Sequence, residues 1–572
     1  MDSLKIWGKI VFHPHLKSFM SQHTPSNGPL SFLQKVQIWL PALIGISLAL
    51  GIYMGLFLRQ PSRSTAHSSQ NSTHPVEIGH FNGKVEEVLR FVDARYLEGV
   101  ELEKLEDAAI KAILDQLDPH SNYIPSQKLQ AVNESLEGNF EGIGVEFFLL
   151  DDTVSITTVL KEGPADQAGL KVGDKFLRVN DSLFAGQKLD NEDIVKRLKG
   201  PAGSSVEVTV LRRGEAQPLK IAIKRGEIPV KSVDAGFMWD DKTGYIKISR
   251  FSSKTYKEFM EALEPLVEKE GMENLVIDLR QNPGGYLKEA TEILNQLFKD
   301  KRLLVYTEGR SYKRKEYKST GRSFFKVGRI AVLIDEGSAS ASEIMAGAIQ
   351  DNDRGIIVGR RSFGKGLVQE QYGLSDESAL RLTVARYYTP SGRLIQRPYK
   401  KGDEESYDQD FESRLKSGEL YEEDSIKILD STVYKTTGGR LVYGGGGIIP
   451  DVFVPLDSLN RNDFYVNARF NLPAFVYRYL DQHFKEFEGQ KADDFLRNYQ
   501  PPTQLMQAFK EYLVEQKELE LDPAAWQKSQ ASLKRYIKGY LAEQLFGEAY
   551  FYKAMAEKDP VVLAAVKGLK TE

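Results

Sequence analysis

VLIDEGSASASEIMAGAIQDN, residues 332–352, reads as an apolar strand, a tight turn of small residues and a helix. A turn of this kind lifts its residues into the crevice at the carboxyl end of a sheet. Ser340 stands where the helix begins, and two readings of it are open. Ser340-Ala-Ser-Glu343 fits an S-x-x-E capping box, in which the serine only satisfies helix amides. The same position would also present a nucleophile.

Outward from this stretch, short apolar runs alternate with helical patterns from 229 to about 400: YIKISRF, EFMEALEPLVEKE, NLVIDLR, LKEATEILNQLF, IAVLID and GIIVGR. The alternation argues an α/β core. Residues 401–443, charged and rich in tyrosine, interrupt it before GGGGIIPDVFVPL closes the core near 456. Residues 457–572 carry strong helix formers at helical spacing and predict a C-terminal helical domain. Upstream, 136–228 has the texture of strands and glycine turns, a small β-rich module. Residues 77–135 place Val85, Val88, Leu89 and Val92, then Leu105, Ala108, Ala112 and Ile113, at helical spacing, which predicts a short helical domain ending in LDPHSNY, 117–123.

The chemistry gathers around the opening stretch. RSFGKGLVQE sets Lys365 between two glycines with Gln369 four residues on, a spacing that shares one face of a helix or strand. A lysine acts as a general base only where burial or a nearby cation lowers its pKa, and small neighbours permit that enclosure. An ordinary solvated lysine is the competing reading. Gln369 could orient the amine. In DLRQNPGGYL, Gly284 and Gly285 could aim a backbone N–H at a developing oxyanion, with the Ala341 amide as a second donor; a plain turn explains the glycines equally well.

Composition narrows the field. With 76 basic and 80 acidic residues the net charge is −4, which gives no nucleic-acid footprint. There is no cysteine, so disulfides, thiolate metal sites and a cysteine nucleophile are excluded. Six of the eight histidines lie within the first eighty residues, leaving His120 and His483, and no HExxH or HxxEH string occurs. A zinc site is not expected, and a Ser-His-Asp hydrolase would need His120 or His483 at the site.

Residues 36–58, VQIWLPALIGISLALGIYMGLFL, are uncharged and as a helix would extend about 34 Å, enough to span a bilayer. Lys5, Lys9, Lys17 and Lys35 precede the run and Arg59 and Arg63 follow it, which keeps a tail, 1–35, cytoplasmic and places everything after residue 58, beginning with a linker at 59–76, outside. A cleaved signal peptide is the alternative to an uncleaved anchor.

GSASASE, FGKGLVQ and the preceding DLRQNPGG together resemble the carboxyl-terminal processing (tail-specific) proteases, serine peptidases with a Ser-Lys dyad, over roughly residues 80–456. The resemblance implies a multidomain α/β protein with a ClpP/crotonase-like core at 229–456. Ser340 takes the place of the nucleophile, Lys365 of the base and Gln369 of its partner, and Asp351 of a structural acid. Gly142, Ile143, Gly144 and Val145, followed by a strand, KEGPADQAGLKVGD and the helix NEDIVKRL, resemble a PDZ domain inserted at 136–228, whose loop amides would take a C-terminal carboxylate. LDPHSNY and GIIPDV also look like family signatures.

The expectation is an exported, membrane-anchored endopeptidase, periplasmic or extracellular. It would act on proteins with flexible apolar C-termini through an acyl-enzyme, with no metal, cofactor or nucleic acid, and the resemblance and terminal helices are compatible with a homodimer. A membrane-bound PDZ scaffold with a non-catalytic core is the alternative.

Overall fold

The structure, a computed structural model, describes residues 83–571 apart from 404, 406 and 408. The expected tail, anchor and linker at 1–76 lie outside the described residues. Among the described residues no helix is long and apolar enough to cross a membrane.

Helices α1 (Lys84–Arg95), α2 (Leu102–Leu114) and α3 (Ser126–Glu137) occupy the expected helical segment, with a short strand β1 (Asn122–Ile124) between the last two. They do not enclose a core of their own: α1 and α3 bury no residue and α2 buries only Leu114. Val85, Val88 and Phe91 of α1 and Ile113 of α2 stay exposed, and the segment instead docks on the protease core through β1 and the LDPHSNY turn.

The β-rich module opens with β2 (Asn139–Gly142), β3 (Val145–Leu150) and β4 (Thr153–Val159), followed by the short α4 (Pro164–Gln167). Strands β5 (Lys175–Val179) and β6 (Ser182–Leu183), helix α5 (Asn191–Leu198) and strands β7 (Ser205–Leu211), β8 (Leu219–Lys224) and β9 (Gly226–Pro229) complete it. The sheet order is β3-β4-β5-β7-β8, with β6 on β5, while β2 and β9 form a separate antiparallel ribbon at the neck of the module. Strict alternation drives β7: Val206, Val208 and Val210 point inward and are at most 1 % exposed. They meet Ile156, Phe176, Ile194 and Ile223 in a core separate from that of the protease sheet.

In the protease core, β10 (Val233–Met238) and β11 (Thr243–Ile248) form an antiparallel pair, and helix α6 (Thr255–Glu268) leads to β12 (Asn274–Asp278). Helix α7 (Leu287–Leu297), strands β13 (Leu303–Glu308), β14 (Lys315–Lys318) and β15 (Ile330–Ile334), helix α8 (Ala341–Asp351) and strand β16 (Ile356–Gly359) follow. Then come β17 (Leu367–Gly373) and β18 (Ala379–Tyr388). The 401–443 insertion holds helix α9 (Asp410–Lys416) and two strands, β19 (Asp430–Lys435) and β20 (Leu441–Gly444), which pair as a hairpin continuing past its end; β21 (Val452–Phe453) closes the core. The main sheet runs β10-β11-β12-β15-β16-β21, parallel from β11 onward. Its strands read as continuous apolar runs because both faces are covered. A second sheet, β1-β18-β13-β14 with β17 on β18, carries the Lys365 loop.

Helices α6, α7 and α8 cover one face of the main sheet, burying Phe259, Leu263, Ile293, Ile344 and Met345 against Ile246, Ile277 and Val332. The other face is covered from the C-terminal segment, which the structure divides in two. Helices α10 (Asp463–Phe487), α11 (Ala492–Asn498), α12 (Thr503–Glu511) and α13 (Pro523–Phe546) build an aromatic core of their own. Helices α14 (Glu548–Ala556) and α15 (Pro560–Thr571) belong to the protease sheet instead: Val561, Val562, Ala565, Val566 and Leu569 pack on Ala331, Leu333, Ile356 and Val358. Each buried valine or leucine there contributes about 2 kcal/mol. Helix α10 also braces the β-rich module, where Tyr477 donates to the Ile156 carbonyl at 3.0 Å and its ring lies 5.8 Å from that of Phe148.

Candidate active site

Strand β15 hands over to α8 through Asp335–Ser340, and the turn is stapled to the neighbouring QNPGG turn. Ser338 Oγ donates to the Leu279 carbonyl at 2.8 Å, and the Asn282 carbonyl accepts from the Ala339 amide at 3.0 Å and from Ser342 Oγ at 2.9 Å. This network holds Ser340 at φ 54°, ψ −112°, a conformation that costs a residue with a Cβ about 1–3 kcal/mol and persists only where the surroundings impose it. Ser340 is half-buried at the N-terminus of a helix whose eleven residues are all buried.

Glu343 stands in the capping-box relation to Ser340, and its reach extends further. It is fully buried and accepts the Ser340 amide at 2.8 Å, the Ser362 hydroxyl at 2.5 Å, the Gly364 amide at 2.7 Å and the Lys365 amide at 2.8 Å. The amides of Ser340 and Lys365 share the same oxygen, Oε2, so their nitrogens lie within two hydrogen-bond lengths of each other. Burial pushes the Glu343 carboxyl up to about 7 against the pull of these donors. Tyr387, buried beneath, bonds through its hydroxyl to the carbonyls of both Ser340 and Lys365. The sequence reading stopped at the cap, because its S-x-x-E pattern accounts for the glutamate without the lysine loop.

Lys365 is half-buried and its Nζ donates to Gln369 Oε1 at 2.7 Å. Burial, then the nearby Arg381 cation, lower its pKa to about 8, while Glu343 and Asp118 oppose the shift. An amine in this state carries a usable lone pair in about a tenth of molecules at pH 7 and in about half at pH 8. The Gln369 amide nitrogen in turn donates to the backbone carbonyl of His120.

Gly284 lies against the serine. A Cβ there, at φ +96°, would stand 2.8 Å from Ser340 Cβ and 2.9 Å from the Ala341 nitrogen. Of the three expected oxyanion donors, the Gly284 amide is engaged by Asn282 Oδ1 at 2.9 Å. The amides of Gly285 and Ala341 have no acceptor among the described residues. Asp351 is buried in an ion pair with Arg393 at 2.7 Å and accepts the Ser391 amide and hydroxyl, a bracing position at the far end of α8.

Neither remaining histidine bonds to Ser340. His483 ring Nδ1 pairs with the Tyr479 carbonyl in α10. His120 is brought to the site, but through its carbonyl; its imidazole bonds to Tyr407, and burial followed by the Lys365 charge lowers its pKa to about 4. In the β-rich module, Gly142 ends β2, Val145 opens β3, and Ile143 and Gly144 form the loop between them. Among the described residues the Ile143 and Gly144 amides have no acceptor, and β3 is the edge strand of its sheet.

A serine raised from a parallel sheet, with an enclosed lysine and a β-rich side module, defines a class that the comparisons resolve. Residues 242–406 match peptidase family S41, 155–212 match a PDZ domain, and 464–547 match a family of unknown function. The carboxy-terminal processing protease CtpB of Bacillus subtilis is 37% identical over 62% of this chain and 73% of its own length. The carboxy-terminal-processing protease of Bartonella bacilliformis is 34% identical over 60% and 78%. Among solved structures, the photosystem II D1 C-terminal processing protease aligns at 26% identity over 65% of this chain and 87% of that one, with a TM-score of 0.32. The chain belongs to the carboxy-terminal processing proteases of peptidase family S41: it is a serine-type peptidase with a PDZ domain and a helical C-terminal region.

Proposed function

We propose that the protein is an endopeptidase that captures the C-terminal tail of a protein substrate on its PDZ domain and cleaves it with a Ser340–Lys365 dyad. The observation that carries this reading is the half-buried Lys365 amine, with its pKa near 8, on a loop that Glu343 ties to the serine turn. Neutral Lys365 takes the Ser340 hydroxyl proton as Oγ bonds to the substrate carbonyl carbon. The oxyanion meets the free amides of Gly285 and Ala341. The lysinium returns the proton to the leaving amine as the C–N bond breaks, which leaves an acyl-enzyme. Water, deprotonated by Lys365, then releases the acid and restores the serine. Gln369 holds one amine hydrogen throughout.

The substrate tail would add to the open edge of β3 with its carboxylate on the amides of Ile143 and Gly144. An apolar tail of an unfolded or flexible protein suits this mode, and the site calls on no cofactor. Residues 36–58 would anchor the enzyme with its N-terminus cytoplasmic and the catalytic part outside, and a homodimer is the assembly consistent with the family. The test uses the purified full chain and an unstructured protein with an apolar C-terminus. Cleavage must vanish in both Ser340→Ala and Lys365→Ala; undiminished cleavage by either would sink the dyad. Proteolysis of right-side-out vesicles, with mapping of the protected fragment, tests the topology.

A further inference from the structure

The side-chain amide of Gln369 has two ends of nearly the same shape, an acceptor oxygen and a donor NH2. A lysine base needs the oxygen: its ammonium hydrogens are held by an acceptor, and the lone pair left after proton loss then points elsewhere, toward the serine. Nothing on Lys365 alone selects that end. The selection comes from the other side, where the His120 carbonyl, which can only accept, takes the amide nitrogen and leaves the oxygen for Lys365 Nζ.

That carbonyl is itself held firmly. Asp118 Oδ1 accepts the His120 amide at 3.0 Å and the Thr383 hydroxyl at 2.8 Å, and Oδ2 accepts the Ser121 hydroxyl at 2.7 Å. Ser121 Oγ accepts the Thr383 amide at 3.0 Å, and Thr383 on β18 is the cross-strand partner of Gln369 on β17. The turn is therefore clamped to the strand beside the glutamine it serves. On its outer side a hydrogen bond of 2.9 Å joins His120 Nε2 to the Tyr407 hydroxyl, with the two rings edge to face. Tyr407 comes from the 401–443 insertion. The Arg397 guanidinium stacks 3.7 Å from its ring centroid, donates to its backbone carbonyl at 2.8 Å and pairs with Asp410 at 2.5 Å.

We propose that Asp118 and Tyr407 are positioning residues for the catalytic lysine: together they fix the His120 carbonyl so that Gln369 offers Lys365 only its oxygen. The inference rests on Lys365 being the base, and it gives the LDPHSNY turn and the insertion a joint role in the reaction.

The test measures kcat, KM, the pH profile of kcat and the thermal midpoint of the full chain on a quenched fluorogenic peptide with an apolar C-terminus. The variants are Tyr407→Phe and Asp118→Asn, with Tyr399→Phe as a control that removes a hydroxyl from the same aromatic cluster without touching His120. Tyr407→Phe should lower kcat about fivefold and Asp118→Asn about tenfold, both with KM within about twofold. In Tyr407→Phe the inflection of the profile should move to lower pH, because a lysinium facing the NH2 end loses an acceptor; Asp118→Asn also removes a charge that raises the Lys365 pKa, so Tyr407→Phe carries the pH readout. Simple loosening would admit water and move the inflection the other way. An alkaline shift, an effect on KM alone, or wild-type kcat and profile in both variants overturns the proposal. Tyr407→Phe deletes one oxygen from a packed ring and decides the matter alone where Asp118→Asn does not fold. Lys365→Ala separates the two levels. Full activity in it ends the dyad and the positioning role together, whereas its inactivity beside unaltered Tyr407→Phe and Asp118→Asn ends only the positioning role.

Discussion

Glu343 and Lys365 are joined not through their charges but through the lysine's backbone: the carboxylate takes the Lys365 amide at 2.8 Å on the oxygen that also holds the Ser340 amide. Replacing Glu343 by alanine leaves three amides and one hydroxyl without an acceptor in a fully buried place. The cost should be at least about 3 kcal/mol, since each unsatisfied donor forfeits 1–3, and the measurement is thermal or urea denaturation. Glu343→Gln keeps the shape but puts an NH2 among donors, so kcat should fall by about tenfold or more while the fold survives.

The rate should rise with pH. Only neutral Lys365 is a base, and with its pKa lowered to about 8 the profile of kcat/KM should climb through an inflection near pH 8. At pH 7 roughly a tenth of the molecules are competent. Arg381 is the cation that assists burial in lowering this pKa. Arg381→Leu should therefore move the inflection to higher pH, by about half a unit, and reduce the rate at pH 7. An inflection that stays in place would show that Arg381 exerts no field at the amine.

Gly284→Ala places a methyl 2.8 Å from Ser340 Cβ on a backbone at φ +96°. Both the clash and the conformation act against it. Activity should drop by about two orders of magnitude, the scale of a lost oxyanion donor, with PDZ peptide affinity, measured calorimetrically, unchanged.

Glu543 on α13 reports on the contact between the helical region and the PDZ domain. Burial pushes its carboxyl up to about 7, with Glu548 and the PDZ residue Glu146 adding repulsion. A raised carboxyl holds its proton more tightly folded than unfolded, so stability declines as pH rises from about 4.5 through 7 and the loss is complete above it. Glu543→Gln should stabilise the protein at pH 8 by about 2 kcal/mol and change little at pH 5. Denaturation midpoints at the two pH values check the sign.

The α/β core, the PDZ module and the candidate dyad were legible because each rests on a local pattern: buried strands of valine, leucine and isoleucine, glycine turns at fixed offsets, a lysine flanked by glycines. What escaped the sequence lies in long-range contacts. The His120 carbonyl has no residue-type signature, since every residue carries one, and Tyr407 sits in a stretch whose composition resembles a solvated loop. The helical spacing near 77–135 was real, yet periodicity states that a helix has an apolar face without naming what covers it. The same limit hid the division of the C-terminal segment, where α13 serves one core and α15 another.

That division bears on how the protein folds. Val561, Val562, Ala565, Val566 and Leu569 cover the face of the strands behind Ser340 from a segment that lies far along the chain from them. Without Val562 and Val566 in place, the sheet beneath the serine turn would lack the apolar cover of one face. The strands that carry the serine are therefore completed by a contact between distant parts of the chain, the kind of closure that slows folding.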